Sequence, residues 1–553
     1  MLEEMRHAVR EALESAGVSD IEVVFEHPAD MVNGDYATGA AMRYAKQAGR
    51  SPRELADTIV AKLGDVRGVA KIEVAGPGFI NVSLKPSVIW SALDAGRASG
   101  DEWGGTTSGK GRKIMVEYTD PNPFKEFHIG HLVPNALGES VARLLQFSGA
   151  EVKRANWQGD VGVHVAKSLF VLLEKNITNP TIADLAAAYP EGSRRYDEDP
   201  AAKAAIDVLN KTIYERSDVR VNDLYDKGRA LSLEHFETIY KILGTKFDFY
   251  FFESVGGPRG IEVVRAHPDI FVESDGAVIF EGEKYGLHTR VFINRLGLPT
   301  YEAKEIGLAV LKREAYDFDL TITITGNEQK EYFRVVMKAM ELALPELRGK
   351  LAFKTNGMLR FAEGKMSSRA GNIIRGDDLI ANVASAAKER SSESRAENHE
   401  ALAQKVAVGA IKFQILKGAS GKDIIFDKER ALSLEGDSGP YLQYAYARTC
   451  AIIEKAKASG VSASFDAAQE TSELVRHVYR FPDIVAYAQE KLEPHLVATY
   501  LIELASYFNS WYAHEHILDG GALQSHKVAI VEIVGKTLKN GLWLLGIPAP
   551  EKM

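Results

Sequence analysis

Between Lys113 and about Val152 the chain spells strand, loop, helix and strand, an order that restricts its fold more than any other feature of its 553 residues. Ile114, Val116 and Tyr118 alternate with polar neighbours over Lys113 to Thr119, the period-two pattern of a strand. Pro121 and Pro123 break the segment from Asp120 to Gly130 into a loop. Val133, Leu137, Val141, Leu144 and Leu145 then form the apolar face of a helix from about Leu132 to Ser148, with Gly149 placed to end it. A strand beginning near Val152 completes a βαβ unit, the seed of a parallel sheet. Downstream, Leu320, Ile322 and Ile324 alternate with threonines as another strand, and a helix follows with Phe333, Val336, Met337 and Met340 on one face. The expected fold is α/β, with a catalytic-type parallel-sheet domain over about 110–378 and a mixed insertion at about 173–299.

The flanks differ from this centre. Residues 1–100 open with a helix (Met5, Val9, Leu13) and continue with short strands such as Ile72–Val74 and Phe79–Leu84, a small α+β domain. The glycine-rich stretch Ser99 to Gly111 reads as a linker. Residues 379–553 are almost wholly helical by period, with Val531, Val534, Leu538, Leu542 and Leu545 on one stripe of the last helix. Ser391 to Glu400 is polar enough to be a loop inside that region. Hydrophobic residues make up 45% and charged residues 26%, which excludes a disordered chain. A net charge of −9 argues against a non-specific nucleic-acid coat but leaves room for local basic patches. The single cysteine, Cys450, is expected to be a small buried residue and can form no internal disulfide. His514-Glu515-His516 is too tight for a helical zinc motif, and no metal site is expected. With no signal-peptide pattern and no apolar run of spanning length, a cytoplasmic protein without a membrane partner is expected.

Two segments carry chemistry. His128-Ile129-Gly130-His131 lies between the first strand and its helix. A helix start offers N–H donors and positive potential to phosphates, Gly130 lets a nucleotide approach the backbone, and two imidazoles can donate to phosphate oxygens. The alternative is a pair of histidines that merely cap the helix. Lys365-Met366-Ser367-Ser368-Arg369 sits between Gly364 and Gly371, as a loop that can close over a triphosphate and neutralise the leaving pyrophosphate. Taken alone it reads more readily as a solvated basic turn. A Walker loop is excluded by spacing, because Met366 stands where Ser or Thr would hold magnesium.

Together the segments resemble the HIGH and KMSKS motifs of the class I aminoacyl-tRNA synthetases, the second departing at its last two positions. Further stretches are similar to the arginyl branch: VEYTDPN at 116–122, NWQGDVG at 156–162, PTYEAKEI at 299–306, SGPYLQYAYAR at 438–448, and the terminal PEKM. GDYAT at 34–38 and AGPGFIN at 75–81 resemble the added N-terminal domain of that branch. The resemblance spans nearly the whole chain. It implies a Rossmann-like catalytic domain, a small N-terminal tRNA-binding domain and a helical anticodon-binding domain. It implies an arginine–tRNA ligase that forms arginyl-adenylate from ATP, with Mg2+ riding on the nucleotide and no tightly bound cofactor. The partners it implies are L-arginine, ATP and cognate arginine tRNA, and a monomer is expected.

By the same resemblance His128, His131 and Lys365 are catalytic, and ATP is held by His128, Gly130, His131, Lys365, Met366, Ser367 and Ser368. Arg369 is left open. Glu117, Asn122, Tyr301, Glu305 and Gln329 bind arginine, and Tyr441 and Tyr444 serve the tRNA. A guanidinium needs a carboxylate fork, which agrees with Glu117 and Glu305. Tyr301 and Glu305 are four apart and share a face of any helix they occupy. The other readings are that Glu117 pairs with a nearby base such as Lys113, and that Tyr301 and Gln329 are ordinary boundary residues. Asp160 either positions the substrate's amino group or caps a helix.

Overall fold

Alternating apolar residues at 113–117, 151–158 and 320–326 can be satisfied on both faces only inside a helix-covered sheet, and that is where the chain places them. The computed structural model describes residues 1–361, 375–390, 397–466 and 468–553. These form two compact units, one of residues 1–104, 448–484 and 503–540, the other of residues 105–447, 485–502 and 541–553.

The larger unit runs β1 (Lys113–Glu117), α1 (Ile129–Phe147), β2 (Glu151–Gln158), α2 (Val163–Glu174), α3 (Val219–Leu243), β3 (Phe249–Phe252), α4 (Glu253–Ala266), α5 (Tyr301–Ala315), β4 (Leu320–Gly326), α6 (Lys330–Ala343) and β5 (Leu351–Asn356). The five strands stand in the order β5-β4-β1-β2-β3, and every neighbouring pair is parallel. The chain thus builds outward from β1 on one side, then returns to build on the other. The reversal between β1 and β4 is the place where such sheets bind ligands, beyond the carboxyl ends of the strands. Met115, Trp157, Phe251, Phe292, Phe318, Val335 and Val336 fill the core on one side. Each large apolar side chain so buried contributes about 1.5–3 kcal/mol.

The smaller unit contains an antiparallel sheet in which Phe79–Leu84 lies between Tyr36–Thr38 and Val69–Ala75. Its GDYAT segment is a set of ties: Asp35 accepts from the Leu84 amide at 2.7 Å and pairs with Arg476 at 2.7 Å. Tyr36 and His27 both reach the Asp483 carboxylate, at 2.9 and 3.0 Å.

Several boundaries differ from those read in the sequence. The first strand stops at Glu117, because Thr119 and Asp120 turn into the left-handed region with φ of 82° and 45°. The helix begins at Ile129 and not at Leu132, since His128 caps it. The region after 379 is helical apart from Ile424–Phe426, which pairs parallel with Leu359–Phe361. In its polar stretch, residues 391–396 lie outside those described, and a helix starts at His399. Cys450 is half-buried and not enclosed as expected. None of the described helices is long and apolar enough to cross a membrane.

Candidate active site

The loop Tyr118–Phe127 leaves the end of β1 among carboxylates and arrives at two histidines. It begins in strain. Two successive non-glycine residues in the left-handed region each cost on the order of 1–2 kcal/mol, more for a β-branched threonine, and persist only when their surroundings fix them. Here the Asn156 amide donates to the Tyr118 carbonyl at 3.0 Å and the Asn135 amide to Thr119 Oγ1 at 3.0 Å. Asp120 Oδ1 accepts from the Trp157 backbone N–H at 2.8 Å. Asn122 then accepts from the Gly159 amide at 3.2 Å. A Cβ on Gly159 would lie 2.3 Å from Asn122 Oδ1, so the approach requires glycine there.

Glu117 is buried at the end of β1 and forms an ion pair with Lys312 of α5. The sequence had offered Lys113 as its partner; Lys312 takes that place because it projects from α5 beneath the strand end. Glu305, two helical turns before Lys312 and so on the same face, is pushed up to about 8, chiefly by burial and then by Glu117. Lys312 and a hydrogen bond from the Trp157 side chain oppose that shift. Asp120 is also held well above the usual carboxylate range by burial and by Glu117. Three carboxylates thus face one ammonium. Beside them Lys304 and Glu253 form a buried pair at 2.6 Å.

The remaining sequence-named residues are more dispersed. Tyr301 is the first residue of α5 and 66% exposed, with the Lys304 ammonium 5.3 Å from its ring centre. Gln329 is exposed just past β4 and accepts from Thr325 at 2.8 Å. Asp160 caps a helix, though not the one that follows it in sequence: it accepts from the Ser254 amide in the first turn of α4 at 2.8 Å, and Arg229 at 2.9 Å, the Ser254 hydroxyl at 2.7 Å and Tyr225 at 3.2 Å complete its surroundings. Tyr441 and Tyr444 are half-buried, whereas Tyr446 is buried.

At the other end of the loop, the His128 and His131 rings stack with centres 3.8 Å apart. Gly130 N–H donates to His128 Nδ1 at 3.0 Å, and His128 N–H donates to His131 Nδ1 at 3.1 Å. A nitrogen that accepts carries no proton, so both rings are assigned as Nε2–H tautomers. Burial, with Lys125 and for His131 also His128, lowers both pKa values, so the pair is neutral and each ring keeps one donor. The helix start is therefore capped and chemically available at once, which joins the two sequence readings. Gly130 is required by space: a Cβ there would meet the His128 ring at 2.7 Å.

Lys365, Met366, Ser367, Ser368 and Arg369 lie outside the described residues. The next described residue, Arg375, bridges His128 backbone to backbone, while Gly376 N–H donates to the Phe127 carbonyl at 2.7 Å. Arg375 is clamped by Asp377 at 3.0 and 2.5 Å. Sequence reasoning missed Lys312, Asp120, Trp157 and Arg375. Lys312 had a signal, since a lysine seven residues after Glu305 must share its helical face.

The family profile described as "tRNA synthetases class I (R), catalytic domain" matches residues 98–428. "Arginyl tRNA synthetase N terminal domain" matches residues 3–84 and "DALR anticodon binding domain" residues 442–553. The arginine–tRNA ligase of Clostridium botulinum (strain Alaska E43 / Type E3) is 32% identical over 549 residues, covering 97% of each chain. That of Clostridium perfringens is 30% identical over 555 residues, again with 97% of each covered. Among solved structures, the arginyl-tRNA synthetase of Thermus thermophilus superposes with a TM-score of 0.84 at 25% identity over 99% of both chains. That of Plasmodium falciparum shares the fold, with a TM-score of 0.80 at 20% identity over 100% of this chain and 99% of its own.

Proposed function

The chain belongs to the class I arginyl-tRNA synthetases and is an arginine–tRNA ligase, and from that premise we propose how its residues divide the reaction. The observation that carries the reading is the single loop Tyr118–Phe127, with a carboxylate cluster at one end and two neutral imidazole donors at the other.

Arginine lies with its guanidinium toward Glu117 and Glu305, and with its α-amino end toward Asn122, Tyr301 and Gln329. ATP enters with Mg2+ as substrate, over Gly130 and alongside the two stacked histidines. The arginine carboxylate attacks the α-phosphate, and charge grows on the phosphate oxygens as pyrophosphate departs. The Nε2–H groups of His128 and His131, already oriented by backbone amides, donate to that charge without reorganising. Lys365, with Met366, Ser367 and Ser368, covers the departing pyrophosphate. The terminal ribose hydroxyl of tRNA then attacks the activated carbonyl. Residues about 1–100 and 379–553 hold the tRNA, with Tyr441 and Tyr444 on the anticodon side, in a monomeric cytoplasmic enzyme.

The two ends of the site must act on one adenylate, and tRNA biases them into register. Pyrophosphate exchange measured across the amino acids, with and without cognate tRNA, tests this. Exchange with arginine alone, and only when tRNA is present, is expected. Equal exchange with other amino acids would overturn the assignment of the carboxylate cluster, and robust exchange in tRNA-free buffer would overturn the coupling.

A further inference from the structure

Asp120 belongs to none of the roles assigned above, yet its position is among the most constrained in the molecule. Consecutive left-handed residues at Thr119 and Asp120, with φ of 82° and 45°, are fixed by hydrogen bonds from Asn135, Asn156 and the Trp157 amide. Such strain concentrates where a side chain must be aimed. What it aims is a carboxylate, set against Glu117 at the end of β1 and Glu305 on α5. A chain that needed only a turn here would place asparagine in that conformation, which keeps the hydrogen bond to Trp157 without burying an ionisable carboxyl.

We propose that Asp120 is a third carboxylate for the substrate, a specificity residue that receives arginine's cationic end together with Glu117 and Glu305. The proposal rests on the placement of arginine given above. Charge balance supports it. Glu117 is already neutralised by Lys312, so among the described residues two of the three carboxylates have no ion-pair partner. A guanidinium presents two edges of N–H donors and can be held by two carboxylates at once. Glu305 and Asp120 are the two that remain. The ionisable groups facing Asp120 are mostly acidic: Glu117 and Glu305 repel its charge, the Tyr240 hydroxyl of α3 lies near, and Lys312 opposes them by favouring ionisation. In the empty site burial and these neighbours hold the Asp120 carboxyl well above the usual carboxylate range, which favours its protonated form. Arginine entry lets the carboxyl ionise against the guanidinium, and the proton passes to solvent.

The test uses Asp120→Asn, which keeps an oxygen to accept the Trp157 N–H and so preserves the turn. Full-length protein with cognate tRNA is assayed for arginine KM and kcat, and for inhibition by citrulline, whose neutral urea replaces the guanidinium. Proton release on arginine binding is read by calorimetry in two buffers of different ionisation enthalpy. Glu305→Gln is run alongside. The proposal predicts an arginine KM raised at least about tenfold, kcat within about threefold, citrulline inhibition little changed, and less proton release. Unchanged arginine KM and proton release in Asp120→Asn, with KM raised in Glu305→Gln, would overturn it and leave Asp120 as a tie to Trp157 alone. If Glu305→Gln also leaves arginine KM untouched, the placement of arginine fails and the proposal falls with it.

Discussion

The two ends of the Tyr118–Phe127 loop handle charge in opposite ways. At the carboxylate end, burial pushes acids up, to about 8 for Glu305, and Lys312 with hydrogen bonds from Trp157 offsets them only in part. At the histidine end, burial and Lys125 push bases down, so two imidazoles stand neutral. Both ends are near neutrality when empty, and each leaves the charge to its ligand. On the proposed reading the first receives the cation of arginine and the second the polyanion of ATP. One short loop thereby separates two kinds of recognition, and damage at one end should not appear in the parameters of the other.

The largest effect is expected from removing Lys312. Lys312→Met leaves the Glu117 carboxylate buried without its ammonium, which costs about 3–5 kcal/mol. Urea unfolding should show that loss, and saturating arginine should restore part of it by bringing a replacement cation. An unchanged unfolding midpoint would mean that Glu117 is not dependent on this pair.

A middle effect is expected at the histidine end. Gly130→Ala places a Cβ 2.7 Å from the His128 ring, and the ring must swing away. The cap is lost, at about 1 kcal/mol of stability. The fixed donor is lost with it, and adenylate formation should slow by about 10-fold to 100-fold. Arginine KM should hold. A rise in arginine KM equal to the fall in rate would erase the distinction between the ends.

A third effect, spread over several pH units, is a pH slope. Glu305 has its folded pKa raised from 4.5 to about 8. Its contribution to stability is therefore fully present below the unfolded value and is lost as pH rises through that window. Between pH 5 and 8, arginine-free wild type should lose stability relative to Glu305→Gln by at most about 1.4 kcal/mol per pH unit. Parallel melting curves across that range would place the Glu305 carboxyl in an ordinary environment.

Much of this was legible before the fold. The alternation over 113–119 and 320–324 and the helical period from about 132 pointed to the parallel sheet, because period alone distinguishes the elements. The motifs located both ends of the site. What the sequence concealed was long-range. Lys312 reaches Glu117 only because α5 packs beneath β1, and nothing local distinguishes Lys312 from Lys113 as a partner. The strand ended early because Thr119 and Asp120 adopt backbone angles that their side chains disfavour, an outcome imposed by Asn135, Asn156 and Trp157. Gly130 was read as room for a ligand, and its first constraint turns out to be the neighbouring imidazole.

The separation of the two ends is tested most directly by one paired measurement. His128→Asn keeps an oxygen to cap the Gly130 amide but removes the Nε2 donor, and Glu305→Gln keeps the size of the side chain but removes its charge. Steady-state aminoacylation of both, with arginine and ATP varied in turn, should give crossed results. Glu305→Gln should raise arginine KM by about 100-fold with ATP parameters nearly unchanged. His128→Asn should lower kcat by about 100-fold with arginine KM nearly unchanged. If both variants shift the same parameter by similar factors, the two ends are not separate, and the division of the site along the Tyr118–Phe127 loop is wrong.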